Sequence, residues 1–240
     1  MNREQLINAL TDMLQKQHEV NVVMNKTEDW TALERSWYRA MWTEASEIVT
    51  EWVDWEWWKK GAVSIRQAQL EVIDIWHFYL SHLLQRRDEE ESFQDVAIVL
   101  TDSILNEGPF GEPLTFPEGV EELCVDVERF INDTIEFREP DITYFMRIME
   151  DLGLSFEALY TWYIGKNQLN HFRQQHGDKE GTYQRNWCVS SAGESAADNA
   201  ILEVTVLTAI DLNIPSDKVA DYIHGALEAA WENHLTYSKV

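Results

Sequence analysis

Apolar residues recur every three or four positions along most of this chain, and almost nowhere do they alternate strictly. The first pattern belongs to helices with a buried face, the second to strands. Leu6, Leu10, Met13, Leu14, Val20 and Val23 share one side of a helical wheel and predict a helix over residues 3–24. A second predicted helix, over 32–60, carries Trp37, Met41, Ile48, Trp52 and Trp55 at helical steps and stops at Gly61. The third, over 64–87, contains LEVIDIWHFYLSHLL, apolar on nearly every side, which marks a central helix. Further helices are expected over 93–105, 120–137, after Pro140, and over 155–176, 198–212 and 215–235, the last with proline in its first turn. Residues 88–91 read as a solvated acidic connection, and 177–197 as a polar loop.

Only 10 Gly and 5 Pro punctuate the 240 residues, which argues for an all-α chain; the length allows one large domain or two small ones, and a single domain over 1–240 is expected. Three of the prolines lie in EGPFGEPLTFPEG, and a division between a mobile and a rigid part is expected near 106–120. The net charge of −24, from 43 acidic against 19 basic residues, opposes a nucleic-acid partner, whose binding depends on phosphate neutralisation. Cys124 and Cys188 form no metal motif and no disulfide framework. The start MNREQL lacks an apolar signal core, and no run approaches the ~20 apolar residues that cross a bilayer. A cytoplasmic protein without a membrane partner is expected.

Charge acquires chemical meaning at two acidic pairs. Glu44 and Glu47 are three apart on the second predicted helix, as are Glu71 and Asp74 on the third, so each pair projects together. In such apolar surroundings ionised carboxylates must be paired, protonated or metal-bound. The four are candidate metal ligands, with Glu51 on the same face as a further one. From Glu71 and Asp74 a narrow polar seam continues past Phe78 to Ser81.

A cationic face stands out against this acidity. Lys166, Asn170 and Arg173 share one side of the helix in YIGKNQLNHFRQQHG, and GDKEGTYQR adds Lys179, Tyr183 and Arg185 on a glycine-flanked loop. Several charge-assisted donors beside loop amides suit a polyphosphate, although a surface helix with scattered charge has the same composition. Gln17 and Asn21, four apart on the first helix, offer amide donors and acceptors for a nucleobase edge, or are simply solvated. WEWWKK, residues 55–60 with Trp58 among them, is a stacking platform for a base, or plain core or dimer interface.

EASE at 44–47, DWEWWKK at 54–60, LEVIDIWHF at 70–78 and the GKNxLNxFRQ block from Gly165, in this order, resemble the dimeric dUTPase branch of the all-α nucleoside triphosphate pyrophosphatases, over residues 14 to about 202. The resemblance implies a multi-helix bundle around a central four-helix metal-binding core. It implies a homodimer that hydrolyses dUTP, and dUDP, to dUMP, with pyrophosphate released from dUTP. Two or more Mg²⁺ ions per site would be held by Glu44, Glu47, Glu71 and Asp74, with Glu44 and Glu47 catalytic and Glu47 orienting the attacking water. Lys166, Arg173, Tyr183 and Arg185 match phosphate-gripping positions with Asn170 nearby on the nucleotide, Gln17 and Asn21 match the uracil-reading amides, and Asp198 and Asn199 match the end of the last motif; Asn199 and, as the stacking candidate, Trp58 complete the expected nucleotide-binding set.

The chain departs from the family pattern around its last motifs. Asp178 stands where an aromatic is usual, Ala197 replaces an acid before Asp198 and Asn199, and the loop over 188–197 is long, with Glu194 as a conceivable substitute acid. The same chemistry on dCTP or another pyrimidine remains open, since amides can turn. Asp74 and His77 also have the three-residue spacing of a di-iron site, but no Glu-x-x-His occurs in the chain. A non-enzymatic helical interaction protein is the remaining alternative.

Overall fold

The computed structural model describes residues 1–61, 63–107, 113–116 and 118–238. Their contacts form two compact units, Met1–Leu159 and Tyr160–Val240. Part of the segment near 106–120 where a division was expected, namely 108–112 and 117, lies outside the described residues.

The first unit holds α1 (Arg3–Asn25), α2 (Trp37–Glu51), α3 (Ile65–Arg86), α4 (Phe93–Glu107), α5 (Val120–Phe137) and α6 (Ile142–Asp151), and a short 3₁₀ turn, Thr31–Leu33. Local chemistry sets the ends. Asn2 and Gln5 form a reciprocal capping box at 2.9 Å each way, and Lys26 closes α1 in the left-handed region. The Ser64 hydroxyl accepts from Gln67 N to start α3, and the Asp141 carboxylate accepts from Thr143 N to start α6. Helix α3 packs against α1, α2 and α6, while α2 also packs on α5 and α1 on α4. Val72, Ile73, Ile75, Trp76 and Leu80 of α3 are wholly buried, as a central helix requires.

The second predicted helix is the main correction to the sequence reading. Residues 32–36 precede α2, and the helix stops at Glu51. The tryptophans at 52 and 55 continue its periodicity, yet Val53 pairs with Val63 in an antiparallel bridge, and Asp54 takes a positive φ of 51°. Ser64 N donates to Trp52 O at 2.9 Å, and Gly61 N donates to the Asp54 carboxylate. β-branched and aromatic residues fit this closure better than another helical turn. The result is a surface loop with Trp57 and Trp58 at its outer part, 88% and 55% exposed.

Helix α7 (Phe156–Gln175) starts in the first unit and continues into the second, which also holds α8 (Asp198–Asp211) and α9 (Ser216–Tyr237). Here too the sequence reading needs amending: the polar segment before α8 contains a small antiparallel hairpin, β1 (Asn186–Cys188) with β2 (Ser195–Ala197), where Trp187 faces Ala196. Gly165 lets α7 lie close to α8, because a Cβ there would come within 2.7 Å of Val206 Cγ2. Among the described residues nine α-helices, the 3₁₀ turn and these two short strands account for the regular structure, an all-α fold. No helix among them is long and apolar enough to cross a membrane.

Candidate functional site

Helices α2 and α3 bring carboxylates from separate parts of the chain together. Met41, Ala45 and Ile48 of α2 are fully buried and seat that helix, leaving Glu44 and Glu47 half-buried at its margin. Carboxylate oxygens of Glu44, Glu47 and Glu71 lie within 4.8 Å of one another. Asp74, one turn beyond Glu71, is also half-buried, and its charge reaches Glu47. Burial pushes the Glu47 carboxyl above its ordinary range, with Glu51 and then Asp74 adding to the rise. The indole of Trp52 donates to Glu71 Oε1 at 3.0 Å and orients it. The acids are therefore half-exposed at a rim, rather than sealed in the core as the apolar wheel suggested. Their all-oxygen donor set suits a hard divalent cation such as Mg²⁺.

The same face of α3 continues to a second polar cluster. Ser81 lies seven residues past Asp74, ~10 Å along the helix axis. Gln17 and Asn21 of α1 meet it there, 3% and 2% exposed, so they are buried rather than solvated. Gln17 Nε2 donates to Ser81 Oγ at 2.9 Å and to Asn21 Oδ1 at 3.2 Å, while Asn21 Nδ2 donates to Ser81 Oγ at 3.0 Å. The Ser81 hydroxyl donates to His77 O at 2.9 Å. His77 Nδ1 lies 2.8 Å from Gln17 Oε1; a carbonyl oxygen only accepts, so that imidazole nitrogen carries the proton. Phe78, between these clusters, stacks on Trp37 at 6.2 Å. Trp58 sits on the surface loop, edge-on to Trp55 and Trp57 at 5.3 and 5.4 Å.

In the second unit the cationic side of α7 is built around an acid. Asp198 is 1% exposed and receives Arg173 through Nε at 2.8 Å and Nη2 at 2.9 Å. Tyr183 donates its hydroxyl to Asp198 Oδ2 at 2.8 Å, and Asn199 donates its backbone N–H to Asp198 Oδ1 at 2.7 Å. Asn199 Oδ1 also accepts from Arg173 Nη2 at 3.1 Å. Burial and then the bond to Asp198 raise the Tyr183 phenol, so it stays protonated. For Arg173, burial pulls the other way, but Asp198 more than offsets it and holds the guanidinium charged. Arg173 and Tyr183 thus spend polar atoms on Asp198, an internal role that reading them as phosphate ligands did not anticipate. Arg185 is exposed, with Nη2 2.9 Å from Asp178 Oδ1, so the acid that departs from the family pattern engages a cation. Lys166 and Asn170 are half-buried on α7. Glu194 is exposed in the hairpin turn, where its carbonyl accepts from Val189 N.

Two further residues contribute, the first without any signal in the sequence. Trp231 of α9 packs against Phe172, His176, Tyr183, Trp187 and His234, an aromatic cluster beside the Arg173–Asp198 pair. Nothing in its local sequence distinguishes it from other apolar positions of α9. Ser81 was visible only as the end of the polar seam.

A family model described as dUTPase matches residues 9–177, well over half of the chain. The match takes in the acidic pairs, the amide cluster and Lys166 to Arg173, and it ends where Asp178 begins the departures noted above. A search of curated proteins found no match.

Proposed function

We propose, from the premise that this chain belongs to the all-α dUTPase family, that it hydrolyses dUTP, and dUDP, to dUMP in a Mg²⁺-dependent reaction, with pyrophosphate the second product from dUTP. One observation carries this reading: α3 contributes Glu71 to a carboxylate cluster within 4.8 Å and, nearly three turns on, sets Ser81 against the buried amides Gln17 and Asn21 of α1. Together α2, α3 and α1 can present acids toward the phosphate end of a nucleotide and amides toward its base.

Glu44, Glu47, Glu71 and Asp74 are the proposed ligands of two or more ions. Mg²⁺ bound there would lower the pKa of bound water and polarise phosphoryl oxygens. Glu47 orients the attacking water and accepts its proton, a role helped by an environment that already raises its proton affinity. Glu44 shares the water-facing side of α2, and Trp52 holds Glu71 in place. Gln17 and Asn21 read the pyrimidine edge. Lys166, Arg173, Tyr183 and Arg185 serve the phosphates, Arg173 and Tyr183 doing so while anchored on Asp198. Asn170 and Asn199 contact the nucleotide. Trp58 stacks on the base or is covered in a homodimer, since two such exposed indoles are costly surface.

The test is pyrophosphate release with Mg²⁺ across dUTP, dCTP, dTTP and UTP. dUTP is expected to be the best substrate, with no turnover after chelation. Equal or better turnover of dCTP overturns the base assignment and leaves the metal assignment standing. Light scattering tests the dimer.

A further inference from the structure

We infer that Ser81 locks the two buried amides in one orientation and thereby makes the site selective between pyrimidines; this rests on the reading that Gln17 and Asn21 face the base. A carboxamide is nearly symmetric in shape, so a rotation of 180° exchanges its C=O and NH₂ with little steric change. Uracil and cytosine differ by such an exchange. Uracil presents an N3–H donor beside the O4 acceptor, and cytosine presents an N3 acceptor beside the N4 amine donor. Freely turning amides would accept either.

Here they cannot turn independently. The Ser81 hydroxyl proton is committed to His77 O, so the oxygen faces both amides as an acceptor, at 2.9 and 3.0 Å. Turning Asn21 would set its Oδ1 against Ser81 Oγ, acceptor against acceptor, and remove the acceptor that Gln17 Nε2 uses. Turning Gln17 would oppose Oε1 to both Ser81 Oγ and Asn21 Oδ1. Each flip leaves several buried groups mismatched at once. Ser81 is a positioning residue: it acts on the base through the amides.

The experiment compares kcat/KM for dUTP and dCTP in the wild-type protein and in Ser81→Ala, Ser81→Cys and Ser81→Thr. Ala removes the shared acceptor, Cys keeps the volume with a poor acceptor, and Thr restores the hydroxyl. The dUTP-to-dCTP ratio is expected to fall roughly tenfold to a hundredfold in Ala and Cys, the range for loss of a buried hydrogen-bond partner. Thr should recover it. A role in packing alone would lower both nucleotides in proportion and leave the ratio fixed. If Ala does not fold, Cys carries the test. A wild-type preference for dUTP that folded Ala or Cys leaves untouched overturns the inference while the functional reading stands. A wild-type protein inactive on both nucleotides sinks the functional reading, and the inference with it.

Discussion

Arg173 and Asp198 meet edge to edge, with Nε on Oδ2 at 2.8 Å and Nη2 on Oδ1 at 2.9 Å, and both are buried. Twenty-five residues of chain separate them, so the pairing is tertiary. Removing one member strands a charge. Asp198→Ala should cost about 3–5 kcal/mol, read as a lower midpoint in urea unfolding. The double replacement Arg173→Met with Asp198→Leu should lose less stability than Asp198→Ala, because no isolated charge remains.

Glu47→Gln keeps the shape of the side chain and removes its ability to accept a proton. Turnover of dUTP should fall by about 10²–10⁴. The circular dichroism spectrum should be unchanged, and the melting temperature no lower, since a carboxylate beside Glu51 and Asp74 is lost. Wild-type rates from this variant would overturn its catalytic assignment.

A non-hydrolysable dUTP analogue should raise the melting temperature only when Mg²⁺ is present. At a ligand concentration a hundredfold above Kd the gain is about 2.7 kcal/mol. Equal shifts with and without the cation would argue against the carboxylate cluster as the cation site. No shift in either case would favour a non-enzymatic helical protein.

Asp151 gives stability a pH dependence of defined sign. Burial pushes its carboxyl up to about 6, with Asp126, Glu122 and Glu150 adding to the rise and Arg147 opposing it. The folded protein therefore binds this proton more tightly than the unfolded chain, whose value is about 3.9. The contribution is present at low pH and is lost as pH rises from about 4 through about 6. Asp151→Asn should match the wild type near pH 4 and exceed it at pH 7 by about 1–2 kcal/mol, allowing for partial solvation of the carboxylate. Urea unfolding of both proteins across this range isolates the effect.

The helical architecture was legible because apolar periodicity is a local property. The first helix, read over 3–24, runs Arg3–Asn25, and the fifth matches its expected 120–137. The acidic pairs were legible for the same reason, spacing on one helix. What escaped depended on distant partners or competing local chemistry. Trp52 and Trp55 mimic a continuing helix, but the pairing of Val53 with Val63 and the positive φ of Asp54 turn the chain away from it. Arg173 looks like a surface cation until Asp198 is placed beside it. Ser81, visible in the sequence as the end of a polar seam, gains a role only once α1 delivers two amides to its hydroxyl.

The exposed loop bearing Trp57 and Trp58 also makes the protein its own optical reporter. Of its 11 tryptophans, Trp30, Trp76, Trp162 and Trp187 are shut away from solvent, whereas these two face it. Their emission belongs at the red edge of the spectrum and is open to collisional quenching, while the buried indoles emit to the blue. Acrylamide, being neutral, reaches them without the repulsion that a net charge of −24 exerts on iodide. Whatever comes to cover this loop, nucleotide or second subunit, will announce itself as lost quenching without any attached dye.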